Sequence, residues 1–285
     1  MYSKLKARLQ DLLNSAQPIN LQRVSGGDIS DAFNFSLDGS SYFLKVNTAG
    51  NNGFFEAESI GLKEISKVVK TPQVLGQGVE GEHSFLLLNW IDSGIKTDNF
   101  WTHFGEQLAG LHALKAEHFG FWSHNYIGSL PQLNVQTDDW PNFFAEYRID
   151  CLVEVAFNQR LLKQHHLHGF KSLEGEYESL FPNCEPCLLH GDLWSGNFLC
   201  DQHGESVLID PAVYYGHPEM ELAFTSMFGG FSQEFYESYF SINPQIPGFK
   251  DRIAIYNLYP TLVHLILFGP SYLSGIESVL RRFRR

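Results

Sequence analysis

The chain has 285 residues, 44% of them hydrophobic, which is enough to bury a core in one large domain or in two lobes. Its formal net charge of −12 argues against a nucleic-acid partner, because that kind of binding requires clustered lysine and arginine. No stretch approaches the roughly 18 apolar residues of a membrane helix, and the start has no apolar signal segment, so we expect no membrane partner and a cytoplasmic location.

The patterns over the first 91 residues predict two helices and a sheet. Leucines at helical spacing predict a helix within 4–14, and a helical period returns over 54–67. Runs that alternate apolar and polar residues, separated by turn residues, predict antiparallel strands. The predicted strands are 20–25, 31–37, 41–47, 72–75 and 84–89.

From residue 99 onward the apolar spacing is mainly helical, apart from three short apolar runs. These patterns predict an α+β protein with a small antiparallel five-stranded lobe over 1–91, a larger mainly helical lobe over 92–285, and a ligand cleft between them. Pro260 predicts a kink in the last long helix. The predicted helices are 99–116, 138–165, 169–180, 217–228, 231–241 and 249–268, and the apolar runs are 187–190, 198–200 and 206–210.

One loop and the strand after it carry the residues with the clearest chemistry. Asp192 follows His190-Gly191, Asn197 lies five residues later, and Asp210 ends the next apolar run. A carboxylate, an amide and a second carboxylate in this order are what a kinase needs to accept a hydroxyl proton and to hold magnesium against ATP. We therefore expect Asp192 to be the catalytic base, Asn197 and Asp210 to bind Mg²⁺, and His190 to brace the loop. Taken singly, each segment is also typical of an ordinary turn or strand exit.

A lysine in the predicted sheet is the candidate contact to the ATP phosphates. Alternation places Phe43, Lys45 and Asn47 on one face of the 41–47 strand, and a cation on an inner face requires a partner. Glu58 on the following helix is preferred as that partner, because apolar residues four and seven positions later share its helical face. Glu56 is the competitor, and an exposed lysine is the alternative.

Two further segments are candidates for nucleotide contact. Gly26 and Gly27 are predicted to form a turn whose backbone amides approach phosphate oxygens, although two glycines between strands are also typical of a plain hairpin. Asn89, Trp90 and Ile91, at the connection between the predicted lobes, are expected to bind adenine through main-chain groups. Trp90 could equally be a core residue.

These residues together resemble the fructosamine-3-kinase (ketosamine-3-kinase) family, a branch of the aminoglycoside-phosphotransferase-like kinases. The most specific part of the resemblance is Leu193-Trp194-Ser195-Gly196 inside the Asp192 loop, joined to Pro131-Gln132 and Asp210-Pro211-Ala212. Further matching strings run nearly from end to end. They are Phe43–Asn47, Phe55–Glu58, Phe119–Phe121, Gly128–Asn134, Asp139–Phe144, Tyr215–His217, Glu221–Phe224, Met227–Phe231 and Pro247–Phe249.

The resemblance implies a bilobal protein-kinase-like fold and transfer of the ATP γ-phosphate to the 3-hydroxyl of a ketosamine, such as a fructosamine or ribulosamine adduct. The 3-phosphate then eliminates and frees the amine, which deglycates proteins or small amines. By the same resemblance, Trp194 stacks on the sugar or its amine substituent and His264 contacts the substrate. A lone histidine in an apolar helix is also typical of a core residue. Ser25 stands where some members have a cysteine, so a redox-linked dimer is not implied and the oligomeric state stays open.

Two alternatives to this function remain. The acceptor could be another small hydroxyl compound, such as an aminoglycoside, choline or a free sugar, and acidic residues within 138–180 would suit a cationic acceptor. A nucleotide-binding scaffold without turnover is disfavoured, because Lys45, Asp192, Asn197 and Asp210 are all of the required type. The sequence does not decide between fructosamine and ribulosamine, or between small-molecule and protein-bound ketosamine.

Overall fold

In the computed structural model, which describes residues 2–24, 30–49 and 52–283, the chain forms two compact units. The first unit is Met1–Thr97 with Phe198–Pro211, and the second is Asp98–Asn197 with Ala212–Arg285. Among the described residues, no helix combines the length and the apolar character that crossing a membrane requires.

The first unit is built around the predicted five-stranded sheet, in which each strand is antiparallel to its neighbours. The strands are β1 Gln22–Arg23, β2 Asp31–Leu37, β3 Ser40–Thr48, β4 Val74–Glu80 and β5 His83–Asn89, in the order β1-β2-β3-β5-β4. Two helices, α1 Ser3–Leu12 and α2 Asn52–Ile65, belong to the same unit. The strand predicted at 72–75 is too short, because β4 continues past an irregularity between Val74 and Gly76 as far as Glu80.

The two faces of this sheet are covered by different clusters. Leu44 of β3 lies in a core cluster with Leu9 of α1. Phe43 packs against the opposite cluster, which includes Leu62 of α2. Because side chains alternate across a strand, Lys45 shares the face of Phe43 and points toward α2. The alternation predicted for this strand is thus confirmed.

The second unit is mainly helical, as predicted. Its helices are α3 Phe100–His112, α4 Trp140–Phe144, α5 Cys151–Asn158, α6 Gln164–Glu174, α7 Tyr177–Leu180, α8 Pro218–Met227, α9 Gln233–Ile242, α10 Phe249–Tyr256, α11 Leu258–Phe268 and α12 Leu273–Arg282. Short strands of three residues each form two-stranded ribbons, in which β6 pairs with β7, β8 with β11 and β9 with β10. These strands are β6 Asn125–Ile127, β7 Leu130–Gln132, β8 Cys187–Leu189, β9 Phe198–Cys200, β10 Ser206–Leu208 and β11 Tyr214–Gly216.

The ribbon of β9 and β10 belongs to the first unit and not to the second. The Gly94 N–H donates to the Cys200 carbonyl at 2.8 Å, and the Leu208 N–H donates to the Lys70 carbonyl at 2.9 Å. These backbone hydrogen bonds attach the ribbon to the first unit. The two units therefore differ from the two sequential lobes, 1–91 and 92–285, that the sequence predicts. The first unit extends to Thr97 and takes in a segment from beyond residue 190.

Three of the predicted helical runs are interrupted, and one of them, 169–180, is divided between α6 and α7. The 138–165 run contains a π-helical turn at Ala145–Asp150, between α4 and α5. The 249–268 run divides at Asn257 into α10 and α11, which places Pro260 in the first turn of α11. A first-turn N–H has no partner within its helix, so proline fits there without disturbing the helix. The interruption that Pro260 predicts thus lies one turn before the proline, at Asn257, and it is a break between two helices instead of a kink within one.

His217 caps the start of α8. Its Nδ1 accepts a hydrogen bond from the Glu219 N–H at 3.1 Å, and its Nε2 donates to the Pro182 carbonyl at 3.2 Å. The imidazole is fully buried, and this burial lowers the pKa of His217 to about 3. The ring is therefore neutral, with its proton on Nε2, and it serves as the cap that the first helical turn requires.

Neutral His217 should make the protein sensitive to acid. The unfolded histidine binds a proton near pH 6.5, whereas the folded one binds it only near pH 3, so stability is lost as the pH falls below about 6.5. Through this group, the free energy of unfolding should fall by on the order of 1 kcal/mol between pH 7.5 and 5.5. His217→Asn keeps a capping oxygen and cannot titrate, so urea unfolding should show a smaller loss over the same interval. Equal losses in the two proteins would contradict this account.

Candidate active site

The predicted catalytic loop begins where β8 ends. Gly191 has a φ of +83°, and a Cβ there would lie 2.0 Å from the Ala212 carbonyl oxygen, so the turn requires glycine. The Ala212 N–H donates to the His190 carbonyl at 2.9 Å, and the Asp192 N–H donates to the His190 Nδ1 at 3.3 Å. The bracing of the loop by His190 is thus confirmed.

A buried carboxylate holds the start of this loop. Glu221, in the first turn of α8, accepts hydrogen bonds from the backbone N–H groups of His190 at 2.9 Å and Gly191 at 2.8 Å. The His112 Nε2 lies 3.1 Å from the same carboxylate, and the His112 Nδ1 lies 2.7 Å from the Tyr239 hydroxyl. Burial by itself raises the pKa of Glu221, but these hydrogen bonds and the nearby imidazoles outweigh it and hold the pKa below its usual value. Glu221 is therefore an ionised anchor for the loop.

Sequence reasoning did not identify Glu221 as a site residue, although it lies in a string that resembles the family. The amino-acid composition at the start of α8 does indicate that Glu221 has a special role. Met220, Leu222, Ala223 and Phe224 surround this glutamate with apolar side chains, and an acidic residue among buried neighbours requires partners.

Asp192 and Asn197 are brought together, as their spacing predicts. The Asn197 Nδ2 donates to the Asp192 carboxylate and to the Asp192 main-chain carbonyl, at 2.8 Å in each case. The Asn197 N–H donates to the Trp194 carbonyl at 3.0 Å, which closes the intervening turn. Because the amide nitrogen is committed to Asp192, the amide oxygen is the atom of Asn197 that can ligate a cation.

A row of aromatic rings extends from the loop within the second unit. Trp194 is 37% exposed, and its indole lies over Gly196, where a Cβ would be 2.3 Å from the ring. Phe228 stands edge-on to Trp194 at a centroid distance of 5.9 Å, and His264 lies 5.0 Å from Phe228. The His264 Nδ1 donates to the Pro260 carbonyl at 2.7 Å, and burial lowers the pKa of His264. Trp194 and His264 thus belong to one row, in which Phe228 is a member that the sequence did not indicate.

In the first unit, Lys45 lies between two carboxylates. Its Nζ donates to the Glu58 Oε1 at 2.8 Å and to the Asp210 Oδ1 at 2.5 Å. The predicted pairing with Glu58 is therefore confirmed, whereas Glu56 is exposed. Burial opposes the charge of Lys45, but the two carboxylates outweigh it and raise the pKa of Lys45 above its ordinary value.

One cation cannot neutralise two carboxylates. Burial and the charge of Asp210 raise the pKa of Glu58 to about 7, although Lys45 acts in the opposite direction. The side chains of Lys45 and Glu58 are 11% and 15% exposed, whereas that of Asp210 is 43% exposed. Asp210 is therefore the member of this group that solvent, and hence a ligand, can reach most easily.

The remaining predicted nucleotide contacts are less defined. Gly26 and Gly27 lie outside the described residues. The main-chain N–H groups of Asn89 and Trp90 donate to carbonyl oxygens within the first unit, each at 3.1 Å. Among the three predicted residues, the main-chain N–H that would donate to adenine is therefore that of Ile91. Trp90 itself is half-buried.

Removing the charge of Glu221 should loosen the loop. Glu221→Gln places an amide NH₂ where the carboxylate accepts two backbone hydrogen bonds, so at least one backbone donor loses its partner. We expect the free energy of unfolding to fall by about 2 kcal/mol, and the amide hydrogens of His190 and Gly191 to exchange faster with solvent. Urea unfolding and hydrogen-exchange mass spectrometry measure these two effects.

Glu219→Gln is the matched control for this variant. Glu219 is a buried carboxylate on the same helix, but its partner is the Arg252 guanidinium, at 2.6 and 2.7 Å. Its substitution should lower stability without speeding exchange at His190 and Gly191. Unchanged loop exchange in Glu221→Gln, or equally fast exchange in both variants, would refute the anchoring role.

Comparison with known proteins gives a consistent result. The family model for fructosamine kinase matches residues 1–285. A probable ketoamine kinase of Enterococcus faecium is 40% identical over 264 residues, which cover 91% of this chain and 94% of the relative. A protein-ribulosamine 3-kinase of Oryza sativa subsp. japonica, named as chloroplastic, is 38% identical over 270 residues, which cover 92% of this chain and 78% of the relative.

A solved structure agrees with these sequence matches. The crystal structure of a candidate fructosamine-3-kinase from Thermobifida fusca superposes with a TM-score of 0.87 at 30% identity, and the alignment covers 99% of this chain and 98% of that one. The α+β, protein-kinase-like fold that the sequence resemblance implies is thus confirmed. The chain belongs to the fructosamine kinase family.

Proposed function

We propose that the protein transfers the γ-phosphate of ATP to the 3-hydroxyl of a ketosamine. Membership of the fructosamine kinase family makes it a phosphotransferase that acts on a hydroxyl group. The observation that carries the proposal is the Asp192 loop, whose carboxylate is held by Asn197 and whose backbone is held by Glu221. The names of the relatives, ketoamine kinase and protein-ribulosamine 3-kinase, support the class of acceptor.

Asp192 is the base in this proposal. It accepts the proton of the 3-hydroxyl while that oxygen forms a bond to the γ-phosphorus and the bond from phosphorus to ADP breaks. The hydrogen bond from the Asn197 Nδ2, at 2.8 Å, orients the carboxylate for this task. Phosphoryl transfer needs little covalent chemistry from a protein, so catalysis depends on keeping these groups in position.

Asn197 and Asp210 are the proposed magnesium ligands. An amide oxygen and a carboxylate are the donors that magnesium prefers, and the Asp210 side chain is 43% exposed. Its partner at 2.5 Å is the Lys45 ammonium, which also pairs with Glu58. Because two carboxylates face this one cation, the group can accept further positive charge. Magnesium, when bound, neutralises charge on the ATP phosphates.

Lys45 is assigned to the same phosphates, and Glu58 holds its ammonium in place at 2.8 Å. A buried lysine with a carboxylate on the neighbouring helix is what this role requires. The backbone of Gly26 and Gly27 and the main chain of Asn89–Ile91 remain predictions for the rest of the nucleotide.

The row of rings is assigned to the amine part of the ketosamine. The secondary amine is protonated at neutral pH, and a cation is attracted to the face of an aromatic ring. Trp194 follows the proposed base by two residues, so a sugar at Asp192 brings its amine substituent toward the indole. His264 uses Nδ1 to donate to Pro260 and offers Nε2 as a hydrogen-bond acceptor for the substrate.

The consequence of phosphorylation is deglycation. In the proposed sequence, the phosphorylated ketosamine loses its 3-phosphate by spontaneous elimination, and water then hydrolyses the carbon–nitrogen bond of the product and frees the amine. The acceptor is a small-molecule or a protein-bound ketosamine, and the rice relative is named for the protein-bound class.

The test is a comparison of acceptors with the wild type and with Asp192→Asn. We expect ADP formation with the ribulosamine and fructosamine of one lysine derivative, and a kcat lower by about 10²- to 10⁴-fold in Asp192→Asn because the base is lost. The KM for ATP should change little. Turnover confined to an aminoglycoside acceptor would overturn the acceptor class, and a wild-type kcat in Asp192→Asn would remove Asp192 from the mechanism.

Trp194→Ala should raise the KM for the ketosamine by about fivefold and leave the KM for ATP nearly unchanged, because stacking and cation–π attraction are lost only for the acceptor. Trp122→Ala is the matched control, since Trp122 is 59% exposed and stacks on Phe121 at 3.6 Å. Steady-state kinetics with each substrate varied in turn measure the effect. Equal increases for both substrates would show that the indole of Trp194 has only a structural role.

A further inference from the structure

The ribbon that precedes Asp210 needs support from outside itself. Strands β9 and β10 pair over three residues each, and a two-stranded ribbon of this length is not stable alone. Asp210 follows the end of β10 by two residues, and its carboxylate lies 2.5 Å from the Lys45 ammonium. The contacts that fix β10 in the first unit therefore also fix the position of Asp210.

Lys70 contacts this ribbon with both its main chain and its side chain. Its carbonyl accepts a hydrogen bond from the Leu208 N–H on β10 at 2.9 Å. Its Nζ lies 2.5 Å from the Asp201 carboxylate and 3.2 Å from that of Glu205, at the two ends of the turn. Lys70 also follows α2, the helix that carries Glu58, by only five residues. One segment thus connects the partner of Lys45 to the ribbon that leads to Asp210.

Asp201 is held in a fixed position, which makes its carboxylate a well-defined partner for the Lys70 ammonium. Its Oδ1 accepts the backbone N–H groups of His203 and Glu205, each at 2.9 Å, while its Oδ2 accepts the Lys70 ammonium. The Asp201 side chain is 4% exposed. Burial acts to raise its pKa, but these donors outweigh burial and hold the pKa of Asp201 below its usual value. The Lys70 side chain itself is 41% exposed, so what distinguishes this pair from an ordinary surface pair is the fixed position of the enclosed carboxylate.

The connection after β5 supports the other side of the ribbon. The Gly94 N–H donates to the Cys200 carbonyl at 2.8 Å, and a Cβ on Gly94 would lie 2.1 Å from the Asp201 carbonyl oxygen. These contacts involve the main chain, so a substitution cannot remove them without disturbing the backbone. The Lys70 ammonium, in contrast, can be removed by a change of side chain alone.

We propose that Lys70 is a positioning residue for Asp210: it fastens the β9–β10 ribbon so that the Asp210 carboxylate stays beside Lys45. The inference rests on the proposed function, in which Asp210 is a magnesium ligand. Without the ammonium, β10 is held less firmly, and the carboxylate spends less time in the position that binds the ion. The effect should fall on magnesium-dependent nucleotide binding and not on the acceptor.

The test measures how much magnesium increases the affinity for ADP. Isothermal titration calorimetry in EDTA and in magnesium gives this gain directly and requires no turnover. In Lys70→Met, which keeps the length of the side chain, we expect the gain to shrink by about fivefold, and Lys70→Arg should restore most of it. Lys67→Met is the matched control, because Lys67 pairs at 2.5 Å with Glu64, three residues earlier in the chain. Its gain should equal that of the wild type.

Asp201→Asn provides a second route to the same result. It keeps an oxygen for the two backbone donors of the turn, but it removes the negative charge and turns an NH₂ group toward the Lys70 ammonium. It should therefore repeat the effect of Lys70→Met, and it replaces that variant if Lys70→Met does not fold. A full magnesium gain in the folded variants, whatever their melting temperatures, would overturn the inference and leave Lys70 as a stabilising residue. A wild type without any gain, or an Asp210→Asn variant that keeps all of it, would overturn the role proposed for Asp210 itself, and this inference with it.

Discussion

The catalytic loop depends on the hydrogen bonds that its backbone donates to the carboxylate of Glu221. A buried charge is tolerated only when donors replace the lost water, and here two of those donors are backbone N–H groups of the loop itself. Any movement of His190 or Gly191 away from α8 would leave the charge without part of its solvation. The conformation of the loop and the ionisation of Glu221 therefore stabilise each other. The pair of His112 with Tyr239 extends the same network to α3 and α9.

The first unit uses charge in a different way. Around Lys45, one cation faces two carboxylates, so the group is negative overall when all three members are ionised. Burial is the main cause of the raised pKa of Glu58, and the charge of Asp210 adds to it. Glu221 is fully satisfied by its donors, whereas this group can still accept positive charge. Of its members, Asp210 has the most exposed side chain, which is consistent with a proposed role in holding a cation.

The parts of the structure that the sequence could predict are those governed by local spacing. Alternation placed Lys45 on the α2 side of β3, helical spacing selected Glu58 over Glu56, and an interval of five residues brought Asn197 to Asp192. These relations depend on one or two elements whose geometry is regular.

Contacts between distant segments could not be predicted in the same way. Periodicity shows which face of a helix is buried but not what that face meets, so the contacts of Glu221 with His190 and of Lys70 with Asp201 were not visible. The string Gly128–Asn134 was recognised without a role. In the structure its Gln132 donates to the Ala212 carbonyl at 3.0 Å, and its Asn134 accepts from the buried Arg148 at 2.7 Å.

Two residues with positive φ, one in each unit, show how backbone geometry is combined with chemistry. Gly191, at +83°, has no room for a side chain, because the Ala212 carbonyl oxygen occupies the space that a Cβ would need. Asp210, at +55°, has a side chain that the proposed chemistry requires, and aspartate is among the few residues that adopt this conformation at little cost. Asparagine adopts it equally well. At Asp210, therefore, charge can be removed while the backbone is kept, whereas at Gly191 any side chain would disturb the backbone itself. The shape of the catalytic loop thus depends on Gly191, which has no side chain. The proposed cation site depends on the carboxylate of Asp210, a residue that can also adopt the backbone conformation required there.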